Sequence, residues 1–280
     1  MAQFRPEPRR RVGPARHLGN EAADYGCSDV GNDSLPRTSL DCIWTARGGD
    51  CLSPTDLSEK GLEALIVSSL IEKANYVAGD PKDYDRDHAV DIAKLMAFLN
   101  DSQAEVVERL DIGSEGPNRD KLLNRLQGEI TRRGVIEMLR KGLDHLSAKV
   151  QLFYGTPSAG NAKAAEQYAA NLFSITRQVR YSKDETQLAL DLCLFINGLP
   201  IATFELKNSL TKQTVEDAVQ QYKRDRDSRE LLFQFGRCVV HLAVDDQEVR
   251  FCTHMKDKAS WFLPFNKGFK DGAGNPLNTA

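Results

Sequence analysis

The sequence predicts an α/β protein in which helices flank a central mixed β-sheet and a helical part comes first. Three observations carry this. Apolar residues recur at helical spacing from residue 58 to about 141. From Lys149 onward, short strand-like runs alternate with helical ones. Between two of those runs stands Asn197-Gly198, a strong short-range signal for a hairpin.

Residues 1–55 have no apolar periodicity and are rich in Gly, Pro, Ser, Asp and Arg, so a poorly ordered extension is expected there. Its basic cluster at 9–11 reads as a solvated tail in preference to a DNA-binding arm. In SEKGLEALIVSSLIEKANY, Leu62, Leu65, Ile66 and Leu70 form one helical stripe, with Ser58 as the N-cap. DRDHAVDIAKLMAFLND repeats the pattern with Ala89, Ile92, Leu95, Met96 and Leu99. A third, long helix is expected over about 118–141. It carries Arg119, Lys121, Arg125, Arg132, Arg133, Arg140 and Lys141 against Asp120, Glu129 and Glu137. That face suits a phosphate backbone, a partner subunit or simply solvent.

VQLFYG then reads as a strand, NAKAAEQYAANL as a helix and FSITRQVRY as a strand. LCLFI and IATFEL follow as the two arms of the hairpin, and residues 214–228 as a helix. CVVHLAVD and VRFCT read as further strands, and the last residues have loop composition, as at the edge of a longer protein.

Composition narrows the function classes. At 280 residues, 41% apolar and 28% charged, the chain has length enough for a substantial core. A formal charge of −3 means that any nucleic acid must be met by a local basic face. The six cysteines form no C-x-x-C pair and are expected as reduced intracellular thiols. No apolar run approaches the roughly 18 residues of a membrane span, and the arginine-rich N-terminus has no apolar core of a secretory signal. A cytoplasmic location is expected.

The chemistry concentrates in DLCLFINGLPIATFELK, residues 191–207. Side chains alternate along a strand, so Ile201, Thr203, Glu205 and Lys207 share a face. Asp191 joins them only if the turn is odd in length, as with a three-residue loop at 196–198 closing in a G1 bulge. A strict two-residue turn would put Asp191 on the other face. With the odd loop, two carboxylates lie side by side with an ammonium two residues on. Their mutual repulsion is relieved by a divalent cation, and Mg²⁺ takes one or two carboxylates plus water and phosphate. Chance spacing, with Glu205 and Lys207 as an exposed edge pair, is the plain alternative.

The wider run FSITRQVRYSKDETQLALDLCLFINGLPIATFELKN, followed by TVEDAVQQYKRDRDSRELLFQF, closely resembles the N-terminal nuclease domain of type I restriction enzyme R subunits. The resemblance extends from about residue 58 to the end, through GVIEMLRKG, LFYGTPSAGN and FLPFNKG, and leaves out residues 1–55. It implies a restriction-endonuclease-like, PD-(D/E)xK nuclease core. On that basis residues 56–280 form a nuclease domain, with a helical part over about 56–145 and a catalytic core over about 149–265.

The resemblance makes Asp191 and Glu205 ligands of Mg²⁺ (or Mn²⁺ as a substitute), Lys207 the catalytic lysine and Glu63 the superfamily's early-helix glutamate. Gln221, with Gln220 as the alternative register, becomes the DNA-contacting glutamine. Arg177 and Arg180 in FSITRQVRY are assigned to DNA as well. The implied partners are double-stranded DNA and the modification and specificity subunits of a type I complex. ATP would serve only a motor region, and no G-x-x-x-x-G-K-[ST] run occurs in this chain. A non-catalytic DNA-holding or subunit-docking module with a nuclease-like fold is the alternative reading.

Cys238, His241, Cys252 and His254 suggest a zinc site, but in a strand residues 238 and 241 point to opposite faces, so core cysteines and a satisfied histidine are preferred. Asp245 and Asp246 read as a turn.

Overall fold

The computed structural model describes residues 58–265, Thr186 excepted, so the expectations for residues 1–55 lie outside the described residues. The described part has seven α-helices: α1 (Glu59–Ala74), α2 (Ile92–Ser102), α3 (Ala104–Leu110), α4 (Pro117–Arg133), α5 (Val135–Lys141), α6 (Ala162–Ala169) and α7 (Val215–Asp225). Its strands are β1 (Val77–Ala78), β2 (Tyr84–Asp85), β3 (Val90–Asp91), β4 (Leu143–His145), β5 (Ala148–Val150), β6 (Phe173–Arg180), β7 (Ala189–Ile196), β8 (Leu199–Leu206), β9 (Val240–Val244), β10 (Val249–Cys252) and β11 (Leu263–Pro264). Seven of them form one mixed sheet in the order β1-β6-β7-β8-β9-β10-β11. The β1–β6 and β8–β9 pairs are parallel and the rest antiparallel. No helix among the described residues is long and apolar enough to cross a membrane.

Both faces of the sheet are covered, which explains why LCLFI is apolar at every position. On one face, Ile66, Val67 and Leu70 of α1 pack on Ile175, Leu192, Leu206 and Val244. On the other, Val215, Ala218, Val219 and Tyr222 of α7 pack on Cys193, Phe195 and Ala243. A third cluster joins α2, α3, α4 and α5 and includes Leu199 at the start of β8.

The hairpin turn ties that helical cluster to the sheet. Asn197 (φ 50°) and Gly198 (φ 80°) both have positive φ, as a two-residue turn of the hairpin kind requires. The buried Asn197 side chain accepts from Leu172 N at 2.6 Å and donates to Leu152 O at 2.9 Å and Asn171 Oδ1 at 3.0 Å. Gly198 O accepts from Asp91 N at 2.8 Å.

The turn corrects the expected three-residue loop while preserving its consequence. Ile196 pairs with Leu199 and Phe195 with Pro200, as a two-residue turn demands. The register then shifts, and Leu194 pairs with Ala202, Cys193 with Thr203 and Leu192 with Phe204. The extra residue, Ile201, is a bulge on β8 that restores the parity needed to bring Asp191 to the face of Glu205.

Ser58 does cap α1, its hydroxyl accepting from Gly61 N at 3.2 Å, but Leu65 is 66% exposed and Val67 is buried in its place. Ala89 precedes its expected helix at φ 53°, and α2 starts at Ile92, capped by Asp91. The long helix of 118–141 is two, broken at Gly134 (φ 82°). Three of its arginines, Arg125, Arg132 and Arg133, lie within 3.7 Å of the one Glu129 carboxylate, and Arg133 also meets Glu137, so that basic face is only partly offset and keeps a net positive charge. In VQLFYG only Val150 belongs to a strand, and Leu263–Pro264 near the end pairs with β10 where a loop was expected. β1 and α1, from the stretch expected as the helical part, belong to the sheet and its cover.

A Cβ on Gly198 would stand 2.3 Å from Asp91 O and 2.7 Å from Leu95 N, and its φ is one L residues rarely adopt. Gly198→Ala should therefore cost about 2–5 kcal/mol in urea unfolding. Gly128→Ala, in α4 with nothing within 4 Å of the added methyl, should stabilise by about 0.5–1 kcal/mol.

Candidate active site

The site lies where the ladders around β7 open. The β7–β8 pairing ends at Leu192–Phe204, and one further step of its register sets Asp191 opposite Glu205. There Asp191 Oδ2 accepts the Leu206 N–H at 2.7 Å, a side chain standing in for a ladder carbonyl. On the other side, β6 and β7 pair at Arg177–Leu192 and Val179–Leu190 but not in between. Gln178 occupies that gap with φ 51°. Its Nε2 donates to Glu63 Oε2 at 3.2 Å and Asp191 Oδ1 at 3.4 Å.

Glu205 has a side chain with 0% exposure, and the cation beside it is Arg226, just past the end of α7. Arg226 Nε donates to Glu205 Oε1 at 2.6 Å, Nη2 to Ala189 O at 2.9 Å and Nη1 to Tyr181 OH at 3.4 Å. Burial pushes the Glu205 carboxyl up to about 8; Arg226 pulls it down, and Asp191 pushes it up again. Burial pulls the Arg226 guanidinium down, but Glu205 outweighs it and the net direction is up. Glu205 Oε2 is buried with no hydrogen-bond partner among the described residues. Lys207, two residues on, is ion-paired with Glu59 of α1 at 3.1 Å.

The donor set fits a hard divalent cation that keeps much of its water. No group of three or more His, Cys, Asp and Glu among the described residues could hold a metal, so a fully protein-caged site is not formed. Mg²⁺ needs only one or two carboxylates, and a buried carboxylate oxygen without a donor is the kind of acceptor such an ion satisfies.

The structure brings Asp191, Glu205, Lys207 and Glu63 into one neighbourhood. Glu63 Oε1 also pairs with Arg177 Nε at 3.4 Å, which leaves Arg177 beside the site and committed to a carboxylate. Arg180 is exposed further along β6, its carbonyl accepting from Arg86 Nε at 3.2 Å. Gln220 pairs with Glu216 at 2.9 Å and, with Arg226, lines a cleft of about 1640 Å³. Gln221 is half-buried on the same helix.

Tyr222 is a core residue whose hydroxyl meets Thr203 Oγ1 at 2.9 Å. The other contact of Thr203 Oγ1 is His241 Nδ1 at 2.8 Å, and burial holds the imidazole down at about 3, so it stays neutral. Cys252 Sγ donates to His254 O at 3.2 Å. Cys238, Cys252 and His241 are core groups as expected, but not for the expected reason. Cys238 precedes β9 and shares a cluster with Tyr222 and Phe233, the rings that His241 packs against, so residues 238 and 241 are not on opposite faces. Asp245 accepts from Gln247 N, Glu248 N and Val215 N, closing a turn and capping α7. Asp246 accepts from Ser209 Oγ at 2.9 Å.

Three residues of the site escape sequence reasoning. Arg226 is one charge among many in KRDRDSRE, Glu59 looks like an ordinary first-turn acid, and Gln178 is polar in a strand with no pattern to mark it.

A seven-stranded mixed sheet flanked by helices is the architecture of a restriction-endonuclease-like core. Residues 56–260 match the family described as type I restriction enzyme R protein N terminus, and the chain belongs to that family. A 73-residue stretch is 33% identical to a Methanocaldococcus jannaschii protein whose name assigns it to the endonuclease subunit of type I restriction enzyme MjaIXP. That stretch is 26% of this chain and 7% of the relative.

Removing Arg226 leaves Glu205 buried without its cation. Arg226→Met should cost about 3–5 kcal/mol at pH 8.5. A raised carboxyl pKa stabilises the fold below the ordinary glutamate value and loses that contribution as pH rises through about 8. The deficit of the variant should therefore shrink clearly at pH 5, where Glu205 is protonated in both proteins. Urea unfolding at the two pH values measures this.

Proposed function

We propose that this chain is the endonuclease domain of a type I restriction-modification R subunit and hydrolyses phosphodiester bonds of double-stranded DNA with Mg²⁺. The observation that carries this is the carboxylate pair. Asp191 lies one step past the last β7–β8 pair, close enough to act on the charge of Glu205. Glu205 Oε2 has no hydrogen-bond partner among the described residues, and Lys207 follows two residues on. Bound there, Mg²⁺ (or Mn²⁺ in its place) would lower the pKa of a water and place positive charge beside the phosphate.

Asp191 is oriented for this by the Leu206 N–H, and Glu205 by Arg226. Lys207 offers a second positive charge to the phosphate or the attacking oxygen once it leaves Glu59. Sequence choice on the DNA would belong to the modification and specificity subunits, and ATP to a motor region. The setting would be the cytoplasm, where that DNA is found.

Supercoiled plasmid incubated with the protein and Mg²⁺ or Mn²⁺ should be nicked, alone or after assembly with its partner subunits and ATP. Asp191→Asn, Glu205→Gln and Lys207→Ala should each lower the rate at least about 100-fold while leaving duplex retention intact. Chelating the divalent ion should abolish nicking. Retention of DNA with no nicking in the assembled complex, or nicking indifferent to Asp191→Asn, would turn the reading to a DNA-holding or subunit-docking module.

A further inference from the structure

Resting on the proposed metal role of Asp191 and Glu205, one more residue can be assigned. A guanidinium that merely neutralised Glu205 would need proximity alone. Arg226 has more than that. Its three nitrogens are committed in three directions: to the Glu205 carboxylate, to the carbonyl of Ala189 and to the Tyr181 hydroxyl. The guanidinium carbon also lies 5.6 Å from the Tyr181 ring centroid, within cation–π range.

Ala189 is on β7, two residues before Asp191, and Glu205 is on β8. The planar fork of Arg226 therefore clamps one carboxylate of the pair to the strand that carries the other. It takes Oε1 of Glu205 and leaves Oε2 as the oxygen without a partner. Arg226 is itself held by backbone geometry, following α7 at φ −116° and ψ 106°, where the helix ends and the chain turns away. Its side chain is only 5% exposed, although the residue also lines the 1640 Å³ cleft.

We propose that Arg226 is the positioning residue of the carboxylate pair, its guanidinium fork fixing Glu205 Oε1 against β7 so that Oε2 is presented as a ligand oxygen on the face shared with Asp191. A fork does this and an ammonium does not: lysine keeps the charge but offers no planar set of donors that can serve Glu205, Ala189 and Tyr181 together.

The test is a calorimetric Mn²⁺ titration of wild type, Asp191→Asn, Arg226→Lys and Arg226→Met, each with a short phosphorothioate duplex present, beside their thermal unfolding midpoints. Arg226→Lys keeps the experiment decisive if Arg226→Met does not fold. The expected result is that Asp191→Asn abolishes Mn²⁺ binding and that Arg226→Lys, still folded, weakens it about 10–100-fold, the usual effect of losing a partner that orients a metal ligand. Wild-type affinity in Arg226→Lys, with Asp191→Asn still blind to the metal, would show that charge alone suffices and overturn the positioning role. Mn²⁺ binding untouched by Asp191→Asn, or absent from the wild type, would instead remove the metal from this pair and take the inference with it.

Discussion

Glu205 sits on the second arm of the central hairpin with none of its side chain in water, and an ionised carboxylate in that setting needs a cation at contact distance. Arg226 supplies it at 2.6 Å. Much else follows from keeping those two groups together. The α7 helix must end where Arg226 can reach inward, and Tyr181 must lie under the guanidinium. The start of β7 must present the Ala189 carbonyl to it. The same burial that makes Glu205 costly to ionise makes it responsive to a second cation, because its remaining oxygen has no hydrogen-bond donor among the described residues.

The second constraint is geometric. Two carboxylates on neighbouring antiparallel strands oppose each other only if the parity of the connection allows it. Here the turn alone gives the wrong parity, and the bulge at Ile201 corrects it before the strands reach the site. Division of labour is the result. Asn197 and Gly198 serve the helical cluster through Leu152, Asn171 and Asp91, and Ile201 serves the register at the other end of the hairpin. The opening beyond Leu192–Phe204 then frees the Leu206 N–H for Asp191.

Around the site, acids of α1 engage its cations. Glu59 holds Lys207 and Glu63 holds Arg177, while Gln178 in its left-handed conformation links Glu63 to Asp191. A backbone in that region is unfavourable for glutamine, and such outliers concentrate at functional sites.

Much of this was legible in the sequence. The apolar runs, the Asn-Gly turn, the Ser58 cap and the alternation in IATFELK are local properties, and local backbone preferences and side-chain direction determine them. They were enough for the mixed α/β class and most element positions; the likeness to the restriction R family rested instead on the run from DLCLFINGLP into FELKN. Other features depend on groups far apart in the chain. The bulge at Ile201, the break at Gly134, the burial of Val67 in place of Leu65 and the pairing of β11 are settled by what packs against each segment. Arg226 reaches Glu205 across 21 residues and Glu59 reaches Lys207 across 148. The sequence alone marked Asp191, Glu205 and Lys207 as candidates for the chemistry. Only the tertiary structure decided which charges neutralise one another, because Coulomb pairing and desolvation depend on distance in space and not on distance along the chain.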